Sequence, residues 1–234
     1  MTVAAASTKT VALSGIAAAI IDLDGTMLDT APDFHVAVNR TRADLDLAPL
    51  DQQTIVDFVG KGSENLIRRV LSLDYTPPEV EHHFAAALDS YQRHYQAING
   101  THATLYPEVI DGLQAMRDKG LRLACVTNKP IVFALALLEK AGLRQYFELV
   151  YGGDSFPKKK PDPMPLLAVC SEFDLEPAQI VAIGDSSNDA QAARAAGCRV
   201  FNVPYGYNHG EPIQDVESDG IVATLLVAAR HISN

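Results

Sequence analysis

Ile16-Ala17-Ala18-Ala19-Ile20-Ile21-Asp22-Leu23-Asp24-Gly25-Thr26 decides the fold of this chain. An apolar run without polar alternation leads straight into two aspartates and a glycine. Such a run is the pattern of a strand buried on both faces, the arrangement of a parallel sheet covered by helices. An extended backbone puts Asp22 and Asp24 on the same side, and Gly25 allows a tight turn after them. On its own, an Asp-x-Asp at a strand end makes turns and caps helices. Its meaning depends on what the rest of the chain brings beside it.

Further short apolar runs follow at Leu121–Thr127, Leu149–Gly152, Ile180–Gly184 and Val200–Val203. Helical patterns separate them over Pro107–Lys119, Pro130–Ala141, Pro163–Phe173 and Asn188–Ala196, and a last helix is expected over Ile221–His231. Gly120, Gly142 and Gly197 stand where helices should stop. Between the first strand and Leu105 the rhythm breaks. Thr30–Asp46, Gln53–Val59, Ser63–Leu73 and Pro78–Ile98 all read as helix, with no convincing strand among them. The expected fold is therefore α/β: a Rossmann-like parallel sheet with helices on both faces, plus a small all-helical cap inserted after the first strand. The expected division is a disordered tail over 1–14, a catalytic core over 15–29 and 106–234, and the cap over 30–105. The linkers fall near Asp29–Pro32 and Gly100–Pro107.

Composition narrows the function. The net charge of −10 argues against nucleic acid or an anionic membrane as partner. An acidic protein binds an anion only where a local cation reverses the field. Cys125, Cys170 and Cys198 show no paired spacing and read as buried, reduced thiols, which suits a cytoplasmic protein. The run Ile16–Ile21 is too short to span a bilayer. None of the seven histidines falls at metal-ligand spacing with the strand ends.

Ligands of open α/β sheets bind at the carboxyl ends of the strands, so strand-terminal residues are the ones to weigh. The second core strand ends in Val126-Thr127-Asn128, placing a hydroxyl and backbone N–H groups where a phosphate can sit; a helix cap is the ordinary role of such a threonine. Lys158-Lys159-Lys160 follows the third strand, and Pro161 marks Lys160 as the one beside the strand ends. The fourth strand ends in Gly184-Asp185-Ser186-Ser187-Asn188-Asp189. Asp22, Asp24, Asp185 and Asp189 would thus converge on one edge of the sheet, where like charges repel unless a cation joins them. Mg2+ is the expected resident, since it takes carboxylate ligands and accepts substrate phosphate.

Asp22-Leu-Asp-Gly-Thr26, Val126-Thr-Asn128, Lys160-Pro161 and Gly184-Asp-Ser-Ser-Asn-Asp189, in this order and each at a strand end, resemble the four motifs of the haloacid dehalogenase superfamily. The likeness runs from Ile16 to about Val203, and the helical insert is similar to the cap of one of its subclasses. The resemblance implies that Asp22 is the nucleophile and forms an aspartyl-phosphate. It makes Asp24 the acid and then the base, and gives Thr127, Asn128 and Lys160 the phosphoryl group. Mg2+ would be held by Asp22, the Asp24 carbonyl and Asp185, with Asp189 orienting that shell. Asp24 also separates the chain from dehalogenases, whose leaving halide needs no proton.

Val126-Thr-Asn-Lys-Pro130, Tyr151-Gly-Gly-Asp154 and Tyr205-Gly-Tyr-Asn208 are similar to segments of the phosphoglycolate phosphatase branch, which implies 2-phosphoglycolate as substrate. Lys61, between Gly60 and Gly62, is the expected contact to its carboxylate, with Arg68 as substitute. Met27 replaces the usual leucine of the first motif, and Glu108 stands where relatives commonly carry glycine. The alternatives are a β-phosphoglucomutase-like phosphotransferase, a broad sugar or nucleotide phosphatase and, more remotely, a non-catalytic binding protein. The partner is a small phosphate ester, and the expected assembly is a monomer or homodimer.

Overall fold

A computed structural model describes residues 10–233. Six parallel strands form the main sheet: β1 (Ala18–Ile21), β4 (Arg122–Val126), β5 (Leu149–Tyr151), β6 (Ile180–Gly184), β7 (Arg199–Asn202) and β8 (Gly220–Ile221). Their order is β5-β4-β1-β6-β7-β8. The first strand is therefore central, with Ile21 in register with Cys125 on one side and Ile183 on the other. The chain leaves β1 and later returns to both of its flanks, so the strand order switches there, the place where such sheets open a crevice for ligand.

Both faces of the sheet are covered, and this is why β1 lacks polar alternation. Ala19, Ile21 and Leu23 pack in one cluster with residues of α5 (Val109–Asp118), α6 (Ile131–Lys140) and α9 (Leu225–Arg230). Ala18 and Ile20 pack on the other face with α7 (Met164–Phe173) and α8 (Ser187–Ala196). Gly120, Gly142 and Gly197 all take positive φ behind their helices, in the left-handed conformation expected there.

Four helices fill the stretch after the first strand: α1 (Ala31–Asp44), α2 (Gln52–Val56), α3 (Ser63–Leu71) and α4 (Pro77–Ile98). They share a hydrophobic cluster of their own, built on Phe34, Ile55, Ile67, Tyr91 and Tyr95, which the core enters through Phe133 and Tyr207. Local signals start these helices. Asp51 accepts the Thr54 N–H at the head of α2, and Thr76 and Glu79 form a reciprocal cap on α4.

Three expectations need correction. The stretch between the first strand and Leu105 is not free of strand: Leu28–Asp29 (β2) and Thr104–Leu105 (β3) pair as an antiparallel ribbon at the two ends of the helical insert. The C-terminal helix starts at Leu225 rather than Ile221, because Gly220–Ile221 is spent on the sheet edge and Thr224 caps the helix. Of the expected disordered tail, residues 1–9 lie outside the described residues. Residues 10–14 are ordered: Leu13 is buried and exchanges backbone hydrogen bonds with His231 and Ser233. An apolar side chain paired with a distant segment has reason to be fixed.

Glu108 has φ 58°, a left-handed conformation that favours glycine. The departure noted there is thus a residue in a glycine position, and its carboxylate accepts the Thr224 hydroxyl.

Candidate active site

At the carboxyl ends of β4, β1 and β6 lies a cavity whose other side is lined by the cap. Asp22, Asp24, Thr127, Asn128, Lys160, Asp185 and Asp189 all line it. Its opposite wall is mostly apolar and comes from Phe34, Val59, Leu66, Tyr91 and Tyr95. Asp22 is placed by the sheet itself, its N–H donating to Ile183 O in continuation of the β1–β6 ladder.

Lys160 is the hub of the charged side. It is buried, and its ammonium donates to Asp22 Oδ1 at 2.7 Å, Asp189 Oδ1 at 2.6 Å and Val126 O at 2.6 Å, which uses all three N–H groups. Burial opposes its charge, but Asp189 and Asp22 outweigh that and hold its pKa above the usual lysine range. Lys158 pairs with Asp162 on the surface, so Lys160 is the lysine that reaches the strand ends. Asp189 is fully engaged: Oδ1 takes Lys160, and Oδ2 accepts the Ser186 hydroxyl and N–H as a helix cap.

Asp185 is different. It is buried, and its carboxylate accepts only neutral donors, the Thr26 hydroxyl and the Tyr207 N–H. Burial, then Asp22 and Asp189, raise its pKa well above the carboxylate range. Gly206 carries no side chain where a Cβ would overlap Asp185. Carboxylate oxygens of Asp22, Asp185 and Asp189 come within 4.8 Å of one another. A buried aspartate with no cation at hand, in an all-oxygen cluster, suits a hard divalent ion. This cluster fits a metal, held chiefly by Asp22 and Asp185. The Asp24 carboxylate does not belong to that group.

Asp22 feels the same crowding of carboxylates. Burial, against the pull of Lys160 and with the push of Asp189, raises its pKa to about 7. A carboxylate whose pKa is higher folded than unfolded binds protons in the native state that the unfolded chain has released. Stability then falls as pH rises through that window. In the presence of chelator, the chain is expected to lose on the order of 2–3 kcal/mol between pH 5 and pH 8 relative to Asp22→Asn, which lacks the titrating group. Thermal melts of both proteins across that range check this; parallel pH curves would refute it.

Asp24 turns to a residue the sequence reading passed over. Lys129 Nζ donates to Asp24 Oδ1 at 2.9 Å, with Oδ2 at 3.2 Å, and to the Tyr95 hydroxyl of α4 at 2.6 Å. The lysine side chain is 2% exposed. Its position in the strand-end loop, directly before Pro130, was the available signal. Thr127 does not cap a helix; its Oγ1 accepts the Lys129 N–H, leaving the hydroxyl proton for a ligand. Asn128 Nδ2 donates to Lys160 O and to Gly60 O of the cap. Asn188 Nδ2, also passed over, donates to the same Gly60 carbonyl. Tyr207 is a third omission: its hydroxyl accepts the N–H groups of Thr30 and Ala31 and donates to Asp29.

The two cap candidates are not brought to the cavity. Lys61 is exposed, and only its neighbours Gly60 and Gly62 line the wall. Arg68 points away, bonded to Glu81 at 3.0 Å and lying over the Phe84 ring. Both sit on the solvent side of their elements, where a long cation is held by water and acidic neighbours.

The haloacid dehalogenase-like hydrolase model matches residues 19–203. The chain belongs to that family. Among its relatives in the family, the phosphoglycolate phosphatase of Nitrosospira multiformis is 48% identical over 93% of this chain and 96% of its own. That of Thiobacillus denitrificans is 46% identical over 92% and 94%. A crystal structure described as a predicted phosphoglycolate phosphatase from Haemophilus somnus superposes with TM-score 0.86 at 30% identity, covering 92% of this chain and 97% of the other. No helix among the described residues of this hydrolase is long and apolar enough to cross a membrane.

Proposed function

We propose that the chain hydrolyses 2-phosphoglycolate to glycolate and phosphate through an aspartyl-phosphate on Asp22. The carrying observation is that Asp22 and Asp24 line one cavity in different company. Asp22 lies against Lys160, while Asp24 faces the aromatic wall where a leaving group would lie. An Asp22 oxygen attacks phosphorus as the P–O ester bond breaks, and Asp24 gives its proton to the departing glycolate oxygen. Asp24 then takes a proton from the water that attacks the aspartyl-phosphate, releasing phosphate and restoring Asp22. Thr127 and the backbone around Asn128 hold the phosphoryl oxygens, and Lys160 offsets the charge that develops on them.

Asp22 and Asp185 would hold Mg2+, supported by the Asp24 carbonyl, with Asp189 fixing Lys160 beside them. When bound, the ion supplies charge neutralisation for the phosphoryl oxygens. Four aspartates against two lysines line the cavity, an acidic excess that a divalent cation would offset. Membership of the family, the relatives named phosphoglycolate phosphatase and a cap that lines the cavity support a small substrate. Residues 30–105 act in this reading as the cap, hinged on the β2–β3 ribbon.

Phosphate release with Mg2+ tests the reading. kcat/KM for 2-phosphoglycolate should exceed that for sugar phosphates and nucleotides by at least about 100-fold. Similar efficiency across the panel would instead mark a broad phosphatase, and activation by a sugar bisphosphate with little phosphate released would mark a mutase.

A further inference from the structure

Two ammonium groups line the cavity, and they are held by different partners. Lys160 spends its three N–H groups on Asp22, Asp189 and a backbone carbonyl. Lys129 reaches toward the cap. It bonds to both oxygens of the Asp24 carboxylate and to the Tyr95 hydroxyl, so its ties are to the acid and to the cap rather than to the backbone. Its ammonium is packed 4.8 Å from the centroid of Phe34 and 4.6 Å from that of Tyr95. Phe34, Leu66, Tyr91, Tyr95 and Phe133 make up the wall around it, and none carries charge.

We propose that Lys129 is the receptor for an anionic group on the leaving alcohol, and that it rather than Lys61 makes the site select phosphate esters of hydroxy acids. The inference rests on the reading of Asp24 as the acid that meets the ester oxygen. In such a substrate a single methylene separates that oxygen from the carboxylate. Whatever Asp24 touches, the carboxylate can touch, and Asp24 touches Lys129. A carboxylate pushed into an apolar wall loses its water and must be paired. Among the residues lining this side of the cavity, Lys129 is the one cation that can pair it. Tyr95 adds a hydroxyl at the same point, and because it belongs to α4 the receptor is complete only with the cap in place. Esters whose alcohol is neutral would leave Lys129 satisfied by Asp24 but gain nothing from it.

Ethyl phosphate matches 2-phosphoglycolate in size with a methyl group in place of the carboxylate, so the pair isolates this contact. Lys129→Met should lower kcat/KM for both, because Asp24 loses its partner. The loss on 2-phosphoglycolate should be greater by at least about 100-fold. Lys129→Arg, which keeps the charge, should retain part of the preference. Binding of both esters to the inert Asp22→Asn protein, with and without Lys129→Met, gives the same comparison free of chemistry. Equal losses on both esters would overturn the proposal and leave Lys129 as a positioning residue for Asp24. A wild-type protein without preference for 2-phosphoglycolate over ethyl phosphate would fail the functional reading itself, before any lysine is changed.

Discussion

Asp22→Asn is expected to lower kcat for 2-phosphoglycolate by roughly 10^4-fold or more while the chain still folds. The amide keeps the shape of the carboxylate but is no nucleophile, so the covalent route closes. Nothing nearby can take over. Asp185 is occupied by Thr26 and Tyr207, and Asp189 has both oxygens engaged. Asp24 is drawn to Lys129. The backbone of Asp22 stays in the ladder through Ile183, and the buried charge that its raised pKa opposes is gone. The melting temperature in chelator above pH 7 should therefore not fall as far as the wild-type value does. Acid quench of the wild-type protein with radiolabelled substrate should trap label on the chain, and Asp22→Asn should trap none. Label retained by the variant, or turnover within tenfold of wild type, would displace Asp22 from the reaction.

Lys160→Met is the second large effect, and it should strike stability and rate together. Among the described residues the ammonium is the only cation bonded to Asp22 and Asp189, and all three groups are buried or nearly so. Taking one partner from a buried ion pair costs about 3–5 kcal/mol, because the charges left behind have neither water nor a counter-ion. The metal-free variant should melt well below wild type at pH 8. Lowering the pH should recover part of the loss, as the orphaned carboxylates take up protons. Excess Mg2+ should restore stability for the same electrostatic reason. It should not restore turnover, which is expected to stay about 10^2- to 10^3-fold down, since the charge on the phosphoryl oxygens has lost a fixed donor. Thermal melts with and without the ion, set beside phosphate release, separate the two roles. Full recovery of kcat by metal would show that Lys160 serves the fold alone.

The parts of this molecule that could be read along the chain are those whose cause is local. A strand buried on both faces has to be apolar throughout, so β1, β4 and β6 announced themselves, and their ends named Asp22, Thr127 and Asp185. Pro161 singled out Lys160 from three lysines. What escaped has its cause elsewhere in the chain. Strands β2 and β3 are two residues each and exist only because each has the other. Leu13 is ordered by a segment more than two hundred residues away. Lys129 looks like any lysine in a loop until Tyr95 arrives from the cap. At Lys61 the flanking glycines marked the loop that lines the cavity, while the group of that loop bonded to the core is the carbonyl of Gly60, and a carbonyl has no residue type to recognise.

That carbonyl has a consequence for how such a protein can change over generations. The loop is held by Asn128 from behind β4 and Asn188 from behind β6, both gripping the same main-chain oxygen. Gly60 itself is constrained, since its φ of 106° favours glycine and a Cβ there would press on His209, but the grip places little demand on the side chains at positions 61 and 63. The reacting end of the site and the loop above it are thus free to drift independently. A new side chain at position 61 or 63 can be tried against a new substrate without disturbing the two asparagines that keep the loop in place. The fastening is fixed in the core, and the part that is fastened remains open to revision.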